Sequence, residues 1–156
     1  MVNKKSDVAA KNAYVSKLNA IGYDAHVTGS PADITATKDG ETWYFEIKMT
    51  RHEDRYFGAA TLTEWRQAFR DPEHFRFVVA ISDDTDSVFK FIEYTPDEFM
   101  AFSTIPPFKI FFNIDFTRKP KNVARLGKKA TPLSLNNFKL LDACYEKLDK
   151  RRELSL

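Results

Sequence analysis

Asp33, Glu46 and Lys48 are the residues of this 156-residue chain whose types and spacing best suit chemistry. Between them stands Asp39-Gly40, the strongest short-range hairpin signal, because both central positions of such a turn need positive φ. Across a two-residue turn Lys38 faces Glu41. Counting back from there, Ala36 opposes Trp43, Ile34 opposes Phe45 and Asp33 opposes Glu46. Side chains alternate along strands, so Ile34, Ala36, Trp43, Phe45 and Ile47 share an apolar face. Asp33, Thr35, Thr37, Thr42, Tyr44, Glu46 and Lys48 share the polar one. A slip of one residue would scramble both faces.

Directly opposed residues hold their Cβ atoms about 4.5–5.5 Å apart, where two carboxylates repel. A shared proton, a cationic side chain or a metal ion would offset that repulsion. Hard divalent cations such as Mg²⁺ or Mn²⁺ take carboxylate oxygens and retain waters. An ion so held polarises a phosphate and lowers the pKa of a bound water, which is hydrolytic chemistry. Lys48 lies on the same face two residues beyond Glu46, within reach of an attacking water or a phosphate. The same arrangement also fits a structural ion pair in which Lys48 neutralises an acidic couple.

The elements that must position these residues follow from periodicity and punctuation. Ser6 to Ala20 reads as a helix with Ser6 as N-cap and Val8, Val15 and Leu18 along one stripe, ended by Gly22. Tyr23 to Thr28 reads as a short strand before a Gly29-Ser30-Pro31 turn. The hairpin strands are Ala32 to Thr37 and Glu41 to Lys48. After a polar loop, Thr61-Leu62-Thr63-Glu64 has capping-box form and opens a helix with Trp65, Ala68 and Phe69 on one face. Asp71-Pro72 stops it. Phe75 to Ile81 is apolar enough for a buried central strand, and Val88 to Tyr94 is another strand. Pro96 sits at the first position of a short helix opened by Thr95. Phe108 to Phe116 reads as a strand and Leu135 to Leu148 as an amphipathic helix. The order α-β-β-β-α-β with β-α additions indicates one α/β domain, residues 1–156, with a mixed sheet.

Composition narrows the function classes. A net charge of +2 is too mild to argue for nucleic acid by itself. The charge is local, however. Arg118, Lys119, Lys121, Arg125, Lys128 and Lys129 fall in a segment without acidic residues, suited to phosphates or to plain solvent. Arg51, His52, Arg55 and Arg66 cluster beyond Lys48. The three histidines have no metal-ligand spacing, and the single cysteine, Cys144, excludes a disulfide framework and a zinc site. Leu140, Leu141, Tyr145 and Leu148 around Cys144 make it a core residue. Neither a Walker-type glycine loop nor a nucleophile elbow is found. No signal-peptide core or membrane-length apolar run stands out, so a soluble cytoplasmic protein is expected.

Pro31-Ala32-Asp33, twelve residues, then Glu46-Ile47-Lys48 resembles the signature of the PD-(D/E)xK phosphodiesterases. The stretch from Gly22 to Ile81, carrying Phe45-Glu46-Ile47-Lys48-Met49-Thr50, Thr63-Glu64-Trp65 and Phe75-Arg76-Phe77-Val78-Val79, is similar to the nuclease-like domain at the C-terminus of NO VEIN proteins. The resemblance implies a restriction endonuclease-like core and a Mg²⁺-dependent (or Mn²⁺-dependent) endonuclease acting on DNA, in restriction, defence or DNA processing. It implies Asp33, Glu46 and the Ile47 carbonyl as metal ligands, and Lys48 as the group that orients water and stabilises developing charge. Gln67 matches the place where some members keep a polar active-site residue. Arg51, Arg55 and the basic segment would contact DNA, and cutting both strands would be easier from a homodimer. Two departures stand out. Ala32 separates Pro31 from Asp33, and where many members carry a Glu on the first helix this chain has only Asp7. The alternatives are a nuclease fold kept for DNA binding or protein assembly without turnover, and an interaction domain with a purely structural acidic pair. Glu64 is explained by the capping box.

Overall fold

The alternation of residues that face opposite sides of β-strands decides this architecture. The structure is a computed structural model in which residues 4–105, 116 and 133–154 are described. The chain divides into two units, residues 1–105 and 106–156.

In the first unit the order is α1 (Lys4–Ala20), β1 (Asp24–Val27), β2 (Ile34–Lys38), β3 (Glu41–Thr50), α2 (Leu62–Arg70), β4 (Phe75–Ser82), β5 (Phe89–Tyr94) and α3 (Pro96–Ala101). The strands form one mixed sheet in the order β1-β2-β3-β4-β5. Among the described strands only β3 and β4 pair in parallel, and α2 makes the crossover between them. The hairpin forms as the sequence indicates. Asp39 and Gly40 have φ of 53° and 82°, and Ile34 pairs with Phe45, Ala36 with Trp43 and Lys38 with Glu41.

Ile34, Ala36, Phe45, Ile47 and Met49 pack with Ala10, Tyr14 and Leu18 of α1 on one face of the sheet. On the other face Phe75 and Phe77 pack with Ala68, Trp65 and Phe99 from α2 and α3. Each large apolar side chain so buried contributes about 1.5–3 kcal/mol. Two expectations for α1 need correction. The helix starts at Lys4, so Ser6 lies inside it. Val8 is 55% exposed, and the buried stripe is Ala10, Tyr14 and Leu18, spaced four apart. The four-residue repeat brings two small or ring-bearing positions and a leucine onto one line, which Val8 leaves.

The described part of the second unit is α4 (Leu135–Leu154), opened by reciprocal backbone–side-chain bonds between Ser134 and Asn137. Leu135, Phe138, Leu140 and Tyr145 are exposed on it, and Cys144 is half-buried rather than a core residue. The expected strand at 108–116 lies, except for Phe116 in a turn, outside the described residues. So does the whole basic segment from Arg118 to Lys129. Among the described residues no helix is long and apolar enough to cross a membrane.

Candidate active site

The site grows from the point where β2 begins and β3 continues. Residues 30–33 form a bend, and β2 starts only at Ile34. The Asp33 carbonyl accepts from the Thr28 and Gly29 amides at 2.9 and 3.3 Å, and the Ala32 carbonyl accepts from the Thr28 hydroxyl at 3.1 Å. These bonds pin the Asp33 backbone against the end of β1.

Because the ladder stops at Ile34, the Ile47 amide has no strand partner on that side. Asp33 supplies one: its Oδ2 accepts from Ile47 N–H at 2.9 Å. The Ile47 carbonyl leaves β3 on the same side as its amide, into the same notch. The other Asp33 oxygen, Oδ1, pairs with Lys11 Nζ at 2.7 Å, and Lys11 also pairs with Asp7 at 2.8 Å. Asp33 therefore differs from the expected ladder partner on the polar face. The bend takes it out of the ladder, and its carboxylate lies at the strand end with one oxygen toward α1. It still meets Glu46, whose Oε2 accepts from the Asp33 amide at 3.3 Å.

Glu46 and Lys48 project from β3 toward α2, as alternation requires. Lys48 Nζ donates to Glu64 Oε2 at 2.7 Å and lies 3.5 Å from Glu46 Oε1. Glu64 has two duties. It closes the capping box of α2, accepting the Thr61 amide at 2.9 Å, and with the same oxygen it holds Lys48. The capping signal alone accounted for Glu64 in the sequence, and the contact with Lys48, sixteen residues upstream, had no local sign.

The electrostatics are those of an acid-rich, poorly hydrated site. The Glu46 side chain is 11% exposed. Burial, then the nearby charges of Asp33 and Glu64, push its pKa from about 4.5 up to about 7 against the opposing pull of Lys48. Burial pulls Lys48 down, but Glu64 and Glu46 outweigh it and leave its pKa raised. Lys11 behaves alike: burial lowers it, and Asp33 and Asp7 more than restore it. Both amines are thus fixed positive charges. With every group ionised, four carboxylates (Asp7, Asp33, Glu46, Glu64) face two ammonium groups (Lys11, Lys48), leaving two uncompensated negative charges.

The chain belongs to the NO VEIN C-terminal family. The model of that family, protein NO VEIN C-terminal, matches residues 6–92, more than half of the chain and all the site residues above. No curated protein and no solved structure matches it.

Gln67 lies one turn beyond Glu64 on α2, and its Oε1 accepts from Arg70 at 3.4 Å. The structure does not bring it to Glu46 or Lys48 by any described bond. Arg51 is drawn to Asp86 in the β4–β5 turn, and Arg55 is 87% exposed beside Asp54. Both line a cleft of about 640 Å³ beyond the end of β3, together with His52, Tyr56 and Phe57. Phe57 is 99% exposed. Asp7 and Lys11 continue the α1 stripe that carries Tyr14 and Leu18, and polar residues on a core-facing line were the signal that could have found them. Among the described residues no three His, Cys, Asp or Glu side chains converge to hold a metal ion.

Proposed function

We propose that this chain is a divalent-metal-dependent endonuclease with a PD-(D/E)xK site on a restriction endonuclease-like core, acting on DNA. The single observation that carries the reading is the cluster of carboxylates around Asp33 and Glu46, with Lys48 held between Glu46 and Glu64; above pH 7, with Glu46 ionised, the cluster carries two negative charges more than its lysines offset. One divalent cation matches that excess. The donor set fits Mg²⁺ or Mn²⁺, because such ions need only one or two protein carboxylates and fill the remaining positions with water and substrate oxygens. Asp33, Glu46 and the Ile47 carbonyl would hold the ion. When bound, it supplies Lewis-acid polarisation of the phosphate and a water of lowered pKa.

The chain's own residues do the rest. The Ile47 amide and Lys11 fix the Asp33 carboxylate, and the Asp33 amide steadies Glu46. Lys48, kept protonated by Glu64, offers a fixed positive charge to the phosphate as negative charge develops. Tyr56 and Phe57, with Arg51 and Arg55 in the adjoining cleft, supply ring faces and cations for bases and phosphates. The basic segment, Arg118, Lys119, Lys121, Arg125, Lys128 and Lys129, adds phosphate contacts, and a homodimer would present two sites to the two strands. Gln67 is kept in this reading as a polar residue on the same helix as Glu64.

A second reading, a nuclease fold that binds DNA or assembles with protein without turnover, is favoured by one observation: each lysine of the site is already paired with two carboxylates. Incubating the chain with plasmid and linear DNA in Mg²⁺, Mn²⁺ or EDTA, beside Asp33→Ala and Lys48→Ala, separates the two. The nuclease reading expects metal-dependent cutting lost in both variants. Equal cutting by all three proteins would exclude this site, and binding without cutting in any metal would leave the second reading standing.

A further inference from the structure

We propose that Lys11 is a built-in cation of the site, a positioning residue that stands where a second divalent ion would otherwise bind, so that the chain takes one ion and not two. The proposal rests on the metal-dependent reading above.

Three observations carry it. Lys11 Nζ lies between two carboxylates, 2.8 Å from Asp7 and 2.7 Å from Asp33, with its side chain only 19% exposed. Surface lysines seldom hold two such partners, because fixing a long side chain costs rotamer freedom that a solvated pair does not return. Here α1 is locked to the sheet by Ala10, Tyr14 and Leu18, so the helix delivers Lys11 to Asp33 with its orientation already set. Second, Asp33 is engaged on both oxygens, by Lys11 and by the Ile47 amide. Its carboxylate plane is therefore fixed before any ion arrives, as a ligand of defined geometry requires. Third, the charges count to a single ion. With all four carboxylates ionised, the state relevant at pH 8, four carboxylates less two lysines leave two negative charges that one divalent cation closes. Removing the Lys11 charge opens a further deficit between Asp7 and Asp33, next to oxygens already spaced around a cation.

The test counts Mn²⁺ ions bound per chain by electron paramagnetic resonance at pH 8. The proteins are the wild type, Lys11→Met, Lys11→Gln, Lys11→Arg and the double variant Lys11→Met/Asp7→Asn. Far-UV circular dichroism confirms folding, and the Met and Gln replacements guard against one of them failing to fold. Lys11→Met or Lys11→Gln is expected to bind one more Mn²⁺ than the wild type. Lys11→Arg keeps the wild-type number, and Asp7→Asn in the double variant abolishes the gain. An unchanged number in folded Lys11→Met and Lys11→Gln, or two ions in the wild type, would overturn the proposal. The readout is a difference between variants, so it stays separate from the metal-dependent reading itself, which a wild type binding no Mn²⁺ would damage whatever Lys11 does.

Discussion

Replacing Glu46 by Gln should stabilise the metal-free protein at alkaline pH and do little in acid. Burial and the charges of Asp33 and Glu64 raise the pKa of Glu46 to about 7 from an ordinary value near 4.5. Below pH 4.5 the residue carries its proton in both the folded and the unfolded chain and is neutral in effect. As pH rises from 4.5 to 7 the unfolded chain gives up the proton that the folded chain retains, so folding stability falls through this window. Above 7 the folded chain carries the full cost of an ionised Glu46. The span corresponds to about 3 kcal/mol, trimmed to about 2–3 kcal/mol by residual solvation of the side chain. Glutamine keeps the shape and an acceptor for the Asp33 amide without the charge. Urea unfolding in EDTA should thus show Glu46→Gln more stable than wild type by about 2 kcal/mol or more at pH 8, and nearly equal at pH 4.5. The reasoning fails if the variant is destabilised to the same degree at both pH values, because Glu46 would then act by packing and hydrogen bonding alone. Adding Mg²⁺ should reverse the order at pH 8, since only the carboxylate rewards the ion.

Further outcomes follow from the supports of the site. Thr61→Ala removes the N-cap acceptor of α2 and should cost about 1 kcal/mol in chemical unfolding. It should also slow DNA cleavage in kinetic assays by loosening Glu64 from Lys48. Tyr14→Phe removes the hydroxyl that donates to Glu93 on β5, at a cost of about 1 kcal/mol read from the urea midpoint. It should leave cleavage rates unchanged, because Tyr14 packs on the α1 face away from Lys48. Asp33→Ala strips the Ile47 amide and Lys11 of their shared acceptor, and calorimetry should show Mg²⁺ affinity reduced at least tenfold.

Much of this was legible in the sequence where a local rule decides the geometry. Asp39-Gly40 specified the hairpin because few other pairs take positive φ twice, and that turn fixed Ile34 opposite Phe45. The alternation of Phe45 and Ile47 with Glu46 and Lys48 then sorted the two faces of β3. Asp33 was harder. Extending the ladder by one residue placed it opposite Glu46, but the bend at residues 30–33 ends the strand first, and no local pattern says where a strand yields to a bend. Glu64 was hidden by a sufficient local explanation, the capping box. Lys11 was hidden by distance, since its pairing with Asp33 depends on how α1 lies on the sheet. Val8 marks the opposite outcome: it lies two positions, about 200° of helix rotation, from Ala10, and so stays exposed while the Ala10-Tyr14-Leu18 line is buried.

The decisive measurement is the rate of phosphodiester cleavage by wild type and Lys48→Met in saturating Mg²⁺, taken at equal occupancy of DNA. A fixed charge at the transition state predicts metal-dependent nicking by the wild type and a loss of about 10²–10³-fold in the variant with DNA affinity little changed. Equal rates, or an inert wild type in every divalent metal, would contradict it.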